Sequence, residues 1–121
     1  MRLQESGEMY LETILILSRK NGGVRSVDVG EYMGFSKPSV SRAVHILKDN
    51  GYLEMDNDGF LTLTETGLAV ADKIYTRHTI LTKFLQQIGV RDEVASEDAC
   101  KMEHYISDET FAAIRRSMGE A

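Results

Sequence analysis

Apolar residues recur at helical spacing along most of the chain, and this pattern predicts its first three elements. A helix is predicted over residues 8–18, and a second over residues 27–33 with Ser26 as its N-cap. A third helix is predicted up to residue 49, capped by Ser36 and with Pro38 in its first turn, where proline is tolerated. The tight break between the second and third helices predicts a steep angle between them.

The pattern changes once, near the middle of the chain. Residues 52–55 and 60–63 predict two short strands, and Asp56-Asn57-Asp58-Gly59 between them has the composition of a hairpin turn. Helical spacing then returns and predicts a long helix over residues 65–88, with Thr64 as its N-cap.

Two short helices are predicted at the end of the chain. They cover residues 97–106 and 108–118, with Ser96 and Ser107 as their N-caps. The complete order predicts a mostly α protein, with a winged helix-turn-helix over residues 1–64 and a helical domain over residues 65–121. The second part has more apolar surface than three helices bury among themselves, which favours a homodimer.

Composition narrows the class of protein. The 121 residues are 42% hydrophobic and 27% charged, which is typical of a globular chain. The single cysteine and the lack of a secretory or membrane-spanning pattern predict a cytoplasmic protein. The net charge of -5 argues against nucleic-acid binding, but residues 1–55 hold seven basic and seven acidic residues, so the acidity lies in the second half.

The third helix has the polar face of a DNA-reading helix. A recognition helix contacts the base edges in the major groove mainly through its N-terminal half. The residues predicted to lie nearest the groove are therefore Ser39, Ser41 and Arg42. Lys37 and the wing residue Asn57 are predicted to contact the phosphate backbone. On an arbitrary helix, a polar face of this kind would more commonly be exposed to solvent without binding anything. The order of elements around it favours binding to double-stranded DNA.

A second group of residues has the composition of a metal site. Cys100, Glu103 and His104 are spaced to share one helix face, and thiolate, carboxylate and imidazole together suit a first-row transition metal. His78, Met9 and Glu12 are further candidates, distant in sequence. Each also has an ordinary explanation, since methionine and cysteine are common core residues and a lone histidine or glutamate is commonly solvated.

Several segments together resemble the diphtheria-toxin-repressor family of iron- and manganese-dependent regulators, in its short two-domain form. The resemblance covers nearly the whole chain. The segments that carry it are residues 8–12, Ser39-Val40-Ser41, residues 61–67, Arg77-His78, Phe84-Leu85, residues 88–90, residues 97–104 and Ser107-Asp108.

The resemblance implies a metal-binding and dimerisation domain after the winged helix, and it implies the ligands. The iron branch uses residues that match Met9, Cys100, Glu103 and His104, with His78 in a neighbouring ancillary site. Thr82 and Ser96 depart from that branch, which has glutamate and histidine there. The manganese branch has acids at positions 9 and 100 and uses residues that match Glu12 and His78.

The resemblance therefore implies a metal-activated repressor that controls metal-uptake genes and binds a palindromic operator as a homodimer. The thioether and thiolate favour Fe2+ over Mn2+, and Co2+, Ni2+ or Zn2+ can substitute in vitro.

Other functions remain open at this stage. A winged-helix dimer that senses an organic ligand or oxidation of Cys100 has the same DNA-binding half. A metalloenzyme with an open coordination position is disfavoured because no acid–base or substrate-binding motif accompanies the ligands, so the chain is not expected to be an enzyme. A pure interaction module would bind no DNA.

Overall fold

The computed structural model describes residues 5–119 and is mostly helical, with one small sheet. Its elements, in chain order, are α1 (Glu5–Asn21), α2 (Ser26–Met33), α3 (Lys37–Asp49), β1 (Leu53–Met55), β2 (Leu61–Leu63), α4 (Glu65–Gln87), α5 (Asp92–Met102) and α6 (Asp108–Ser117). They form two compact units, which divide within α4 between Asp72 and Lys73. The predicted functional boundary at residue 64 stays a prediction.

Helices α2 and α3 form the predicted helix-turn-helix. Ser36 caps α3 as expected, because its Oγ accepts a hydrogen bond from Ser39 N at 3.3 Å. The helix predicted over residues 27–33 is present, but its predicted cap was wrong: Ser26 is the first residue of α2, and Arg25 is the N-cap. Asp28 stabilises that end instead, since its Oδ2 accepts from Arg25 N at 2.9 Å. A carboxylate there also complements the positive end of the helix dipole.

The wing is an antiparallel hairpin in which Leu53 pairs with Leu63 and Met55 with Leu61. Asp56 closes its turn, because Oδ1 accepts from the amides of Asp58 and Phe60, both at 2.9 Å. A short segment before α2 extends the sheet, where Leu61 N donates to Val24 O at 2.8 Å. The wing is therefore anchored to the helix-turn-helix by main-chain hydrogen bonds.

The core of the first unit lies between α1, the helix-turn-helix and the inner face of the hairpin. Its buried residues are Tyr10, Leu11, Ile14, Leu15, Leu17, Val24, Val29, Val40, Val44, Leu47, Tyr52, Leu53, Leu61 and Ala71. The inward positions of α3 are Val40, Val44 and Leu47, as the helical spacing predicts.

Helix α4 begins against the wing through a cap and a close backbone approach. Thr64 Oγ1 accepts from Gly67 N at 3.1 Å, which confirms the predicted cap, and also donates to Gly51 O at 2.6 Å. A Cβ at Gly67 would lie 1.8 Å from Tyr52 O. Glycine is therefore required for this contact between helix and strand.

The second unit consists of the rest of α4 with α5 and α6. Helix α5 begins at Asp92, so the prediction that Ser96 starts it was wrong. The acidic residues Asp92 and Glu93 in its first turn are the signal that marks its start. Helix α6 has the predicted cap, since Ser107 Oγ accepts from Thr110 N at 3.1 Å.

The architecture confirms the expected fold class, a mostly α chain with a winged helix-turn-helix followed by helices. Within residues 5–119 no helix is both long and apolar enough to cross a membrane.

Candidate metal centre and DNA-reading helix

Glu103 is the central residue of the candidate metal site. It follows the last turn of α5 as its C-cap, and its side chain is fully buried. One carboxylate oxygen, Oε2, lies 2.9 Å from His78 Nδ1 on α4, and the other, Oε1, lies 3.4 Å from His104 Nε2. The second unit thus brings together three of the six residues predicted as ligands.

The two histidines differ in exposure. The side chain of His104 is 1% exposed and that of His78 is 28% exposed. A carboxylate only accepts hydrogen bonds, so His78 donates from Nδ1 to Glu103. In the neutral imidazole this leaves the lone pair on Nε2, and a carboxylate partner of this kind fixes the orientation of a metal-binding histidine.

Cys100 differs from Glu103 in exposure. The last residue of α5 is Met102, and Glu103 follows it as the C-cap with helical backbone angles. Cys100 is still on the helix, and its side chain is exposed rather than part of the buried group. Met9 and Glu12 lie three residues apart on α1 in the first unit, where Met9 is half-buried and Glu12 is buried.

Thr82 and Ser96, the two positions that depart from the iron branch, both lie on helices of the second unit. Thr82 donates its hydroxyl to His78 O at 2.7 Å and so is engaged by its own helix. Ser96 is exposed in the middle of α5.

The buried residues fit a divalent cation. Within the described part of the chain, Oε1 of Glu103 is buried and has no hydrogen-bond partner. A buried carboxylate is costly unless donors or a cation compensate its charge. A carboxylate oxygen beside an imidazole is a pair of donors that first-row metals accept. Glu103 and His104 are therefore suited to hold a divalent metal, and His78 supports the Glu103 carboxylate.

A buried arginine next to His78 belongs to the same site, and no role was predicted for it from the sequence. Arg77 is 5% exposed and donates from Nη1 to Glu103 O at 3.2 Å and to Ile106 O at 2.9 Å. Its Nη2 pairs with Asp108, and its guanidinium lies 5.3 Å from the ring centre of Phe111. The available signal was a charged residue within the apolar stripe of α4.

Asp108 completes this ion pair from the surface. Lys73, which hydrogen-bonds to it at 3.2 Å, and then Arg77 hold the pKa of the Asp108 carboxyl below its ordinary value. Asp108 therefore stays charged at neutral pH as the counter-ion of the buried guanidinium.

The N-terminal half of α3 presents most of the predicted DNA-contacting residues to solvent. Lys37, Ser41 and Arg42 are exposed. Ser39 is only half-buried, and its hydroxyl accepts from Ser36 Oγ at 2.9 Å, so it also serves the helix cap. Burial raises the pKa of Tyr10, and the positive charge of Arg42 opposes that shift.

Asn57 is exposed in the turn of the wing, where it was predicted to meet DNA backbone. The aspartates on either side of it make this turn locally acidic. Phe60 at the base of the wing stacks under Arg25, whose guanidinium lies 4.4 Å from the ring centre. This cation–π contact supports the wing at the side facing α2.

The comparisons with known families cover almost the whole chain. Residues 2–61 match the N-terminal DNA binding domain of iron dependent repressors. Residues 64–121 match the iron dependent repressor metal binding and dimerisation domain. The chain therefore carries a DNA-binding domain and a dimerisation domain.

Two curated relatives agree with these matches. The transcriptional regulator MntR of Escherichia coli O6:H1 is 38% identical over 106 residues, which cover 88% of this chain and 68% of that protein. An uncharacterized HTH-type transcriptional regulator of Methanocaldococcus jannaschii is 30% identical over 115 residues, covering 93% of this chain and 92% of that protein.

A solved manganese-dependent transcriptional repressor in complex with manganese superposes with a TM-score of 0.86 at 26% identity. The match covers 95% of this chain and 53% of that one, so the chain spans about half the length of the solved structure. With both family domains matched in order, the chain belongs to the diphtheria-toxin-repressor family of metal-dependent transcriptional repressors.

Proposed function

We propose that this chain is a metal-activated repressor that binds a palindromic operator as a homodimer and controls metal-uptake genes. The observation that carries the proposal is the fully buried carboxylate of Glu103 between two histidines, in a chain that also carries an exposed DNA-reading helix. A bound cation compensates the charge of such a buried carboxylate, so metal binding is expected to stabilise this part of the protein.

We propose Mn2+ as the metal to which the protein responds, because the donors of the buried group are oxygen and nitrogen and do not include a thiolate. Glu103, His78 and His104 offer oxygen and nitrogen, while the exposed Cys100 stands outside the buried group. The solved repressor that superposes on this chain at 26% identity is named as manganese-dependent. Fe2+, the ion favoured by sequence alone, remains the second candidate because thioether and thiolate ligands from Met9 and Cys100 would select it.

The mechanism joins two distant parts of the sequence. We propose that Glu12 on α1 adds a ligand to those of the second unit, and that Met9 joins it only if the ion is Fe2+. Glu12 supports this assignment because it is a buried acid on a helix whose other buried positions are mainly apolar. A divalent ion supplies the positive charge that lets Glu12 and Glu103 lie close together without repulsion.

Fixing α1 in this way would fix each recognition helix relative to its twin. Two recognition helices read a palindrome when they lie about 34 Å apart, one turn of DNA. Selecting that spacing from a looser ensemble raises DNA affinity, and linkage requires DNA to raise metal affinity by the same factor.

Arg42→Ala tests the DNA-reading half of the proposal. We expect its affinity for the operator to fall by about tenfold or more, the cost of losing one good base contact. The measurement is fluorescence anisotropy with a duplex selected from a random library in the presence of Mn2+. Lys48→Ala is the matched control, since Lys48 is exposed on the same helix but near its C-terminal end. Equal losses for both variants would mean that α3 contributes only charge.

Cys100→Ser tests the choice of metal. If the ligands are oxygen and nitrogen, this variant retains Mn2+ activation to within about threefold, as expected for an exposed residue that is not itself a ligand. The measurement is anaerobic DNA binding against metal concentration, for Mn2+ and Fe2+ in turn. A large loss of activation by both ions would instead make Cys100 a ligand and favour Fe2+.

A further inference from the structure

Arg77 connects α4 to the whole segment that carries Glu103 and His104. That segment leaves α5 at Met102 and enters α6 at Asp108. The guanidinium bonds to its first residue through Glu103 O at 3.2 Å, to its middle through Ile106 O at 2.9 Å, and to its end through Asp108. One side chain thus holds both ends and the middle of the turn.

The bond to Glu103 O also satisfies a carbonyl at the end of α5. The last carbonyls of a helix have no partner within it and carry the negative end of its dipole. A planar guanidinium with several donors can serve this carbonyl, that of Ile106 in the turn and a carboxylate together. A lysine ammonium has the same charge but lacks the rigid, planar arrangement of donors that the guanidinium has.

Arg77 and His78 are consecutive residues of α4 and act on the same ligand. Arg77 holds the main chain of Glu103, and His78 holds its side chain at 2.9 Å. Metal sites require their ligands to be placed within about 0.5 Å of the productive geometry, which depends on the groups that support them.

We infer that Arg77 is a positioning residue for the metal site: it acts through the main chain of Glu103 and Ile106 to set the ligands before metal binds. The inference rests on the proposed metal site. Its consequence is that metal affinity depends on the shape of this side chain as well as on its charge. Asp108 contributes from outside, as the counter-ion that orients the guanidinium.

Arg77→Lys is the direct test. We expect its dissociation constant for Mn2+, measured from the EPR signal of the free ion, to rise by about tenfold or more, as for other supporting partners of metal ligands. The absorption spectrum of bound Co2+ should change as well, because the ligand geometry is altered. Arg116→Lys on the exposed side of α6 is the matched control and should behave as wild type.

Asp108→Asn provides a second test in case Arg77→Lys, at a buried position, does not fold. The Asp108 side chain is 79% exposed, so its loss should leave the thermal unfolding of the metal-free protein close to that of wild type. We expect a smaller loss of Mn2+ affinity than for Arg77→Lys, and a double variant whose loss is less than the product of the two.

The outcomes separate the inference from the proposed function. Wild-type protein that does not bind Mn2+ or Co2+ would overturn the proposed metal site and the inference with it. Wild-type binding with an unchanged affinity and Co2+ spectrum in folded Arg77→Lys would overturn the inference alone. Weaker binding with an altered spectrum, in variants that remain folded, supports it.

Discussion

Replacing Glu103 by glutamine is expected to weaken Mn2+ binding by more than about 100-fold, since losing a supporting partner of a ligand alone costs about 10- to 100-fold. Glutamine has nearly the same shape but no negative charge. The loss should therefore fall on metal binding and on metal-dependent DNA binding, with dimerisation retained. The measurements are Mn2+ titration by EPR, DNA anisotropy and sedimentation.

The same substitution should leave the metal-free protein equally stable or more stable. Glu103 is fully buried, and one of its oxygens lacks a hydrogen-bond partner within residues 5–119. Removing a poorly compensated buried charge lowers the cost of folding. Glu97→Gln, at an exposed position of α5, is the matched control for both measurements. Unchanged metal activation in Glu103→Gln would show that the proposed metal site at Glu103 is wrong.

Gly67→Ala is expected to destabilise the first unit by about 3 kcal/mol, at the upper end of the usual cost of overpacking. The new Cβ would lie 1.8 Å from Tyr52 O and 2.9 Å from the Tyr52 carbonyl carbon. Both are main-chain atoms, so no side-chain rotation relieves the contact. Helix α4 would have to move away from the strand, and the Thr64 cap with it.

Thermal unfolding of the metal-free protein checks this expectation. A loss of this size should lower the melting temperature by more than about 10 °C in a domain of this length. Thr66→Ala, at the exposed position before Gly67, should change stability by less than about 0.5 kcal/mol. Equal melting temperatures of Gly67→Ala and Thr66→Ala would show that α4 can move away from Tyr52 with little loss of stability.

Most elements of the fold follow from the sequence because their ends carry local chemistry. The caps Ser36, Thr64 and Ser107 each accept the hydrogen bond that their position predicts. The two wrong starts, at Ser26 and Ser96, have one cause. In both cases the prediction placed the N-cap at a serine near the start of the helix. Helices α2 and α5 in fact begin before that serine or at it, and acidic residues occupy their first turns.

The candidate site was less predictable than the fold. Spacing and resemblance identified Glu103, His104 and His78, which the structure places together. Spacing also put Cys100 on a shared face with Glu103, but the Cys100 side chain is exposed and the Glu103 side chain is buried, so the ligand role of Cys100 stays a prediction. Arg77 was missed because two of its partners are main-chain carbonyls, and no residue pattern marks which carbonyls a helix end leaves open.

Metal-dependent DNA binding by the wild-type protein is the decisive measurement for a metal-activated repressor. The titration is anaerobic, with Mn2+ and Fe2+ added separately to protein and duplex DNA, and a chelator added at the end. We expect DNA binding that appears with metal, requires less Mn2+ than Fe2+, and is reversed by the chelator. A lower requirement for Fe2+ would restore the ligand role of Met9 and Cys100. DNA binding that is indifferent to both metals and to the chelator would rule out metal activation and leave a winged helix without a metal switch.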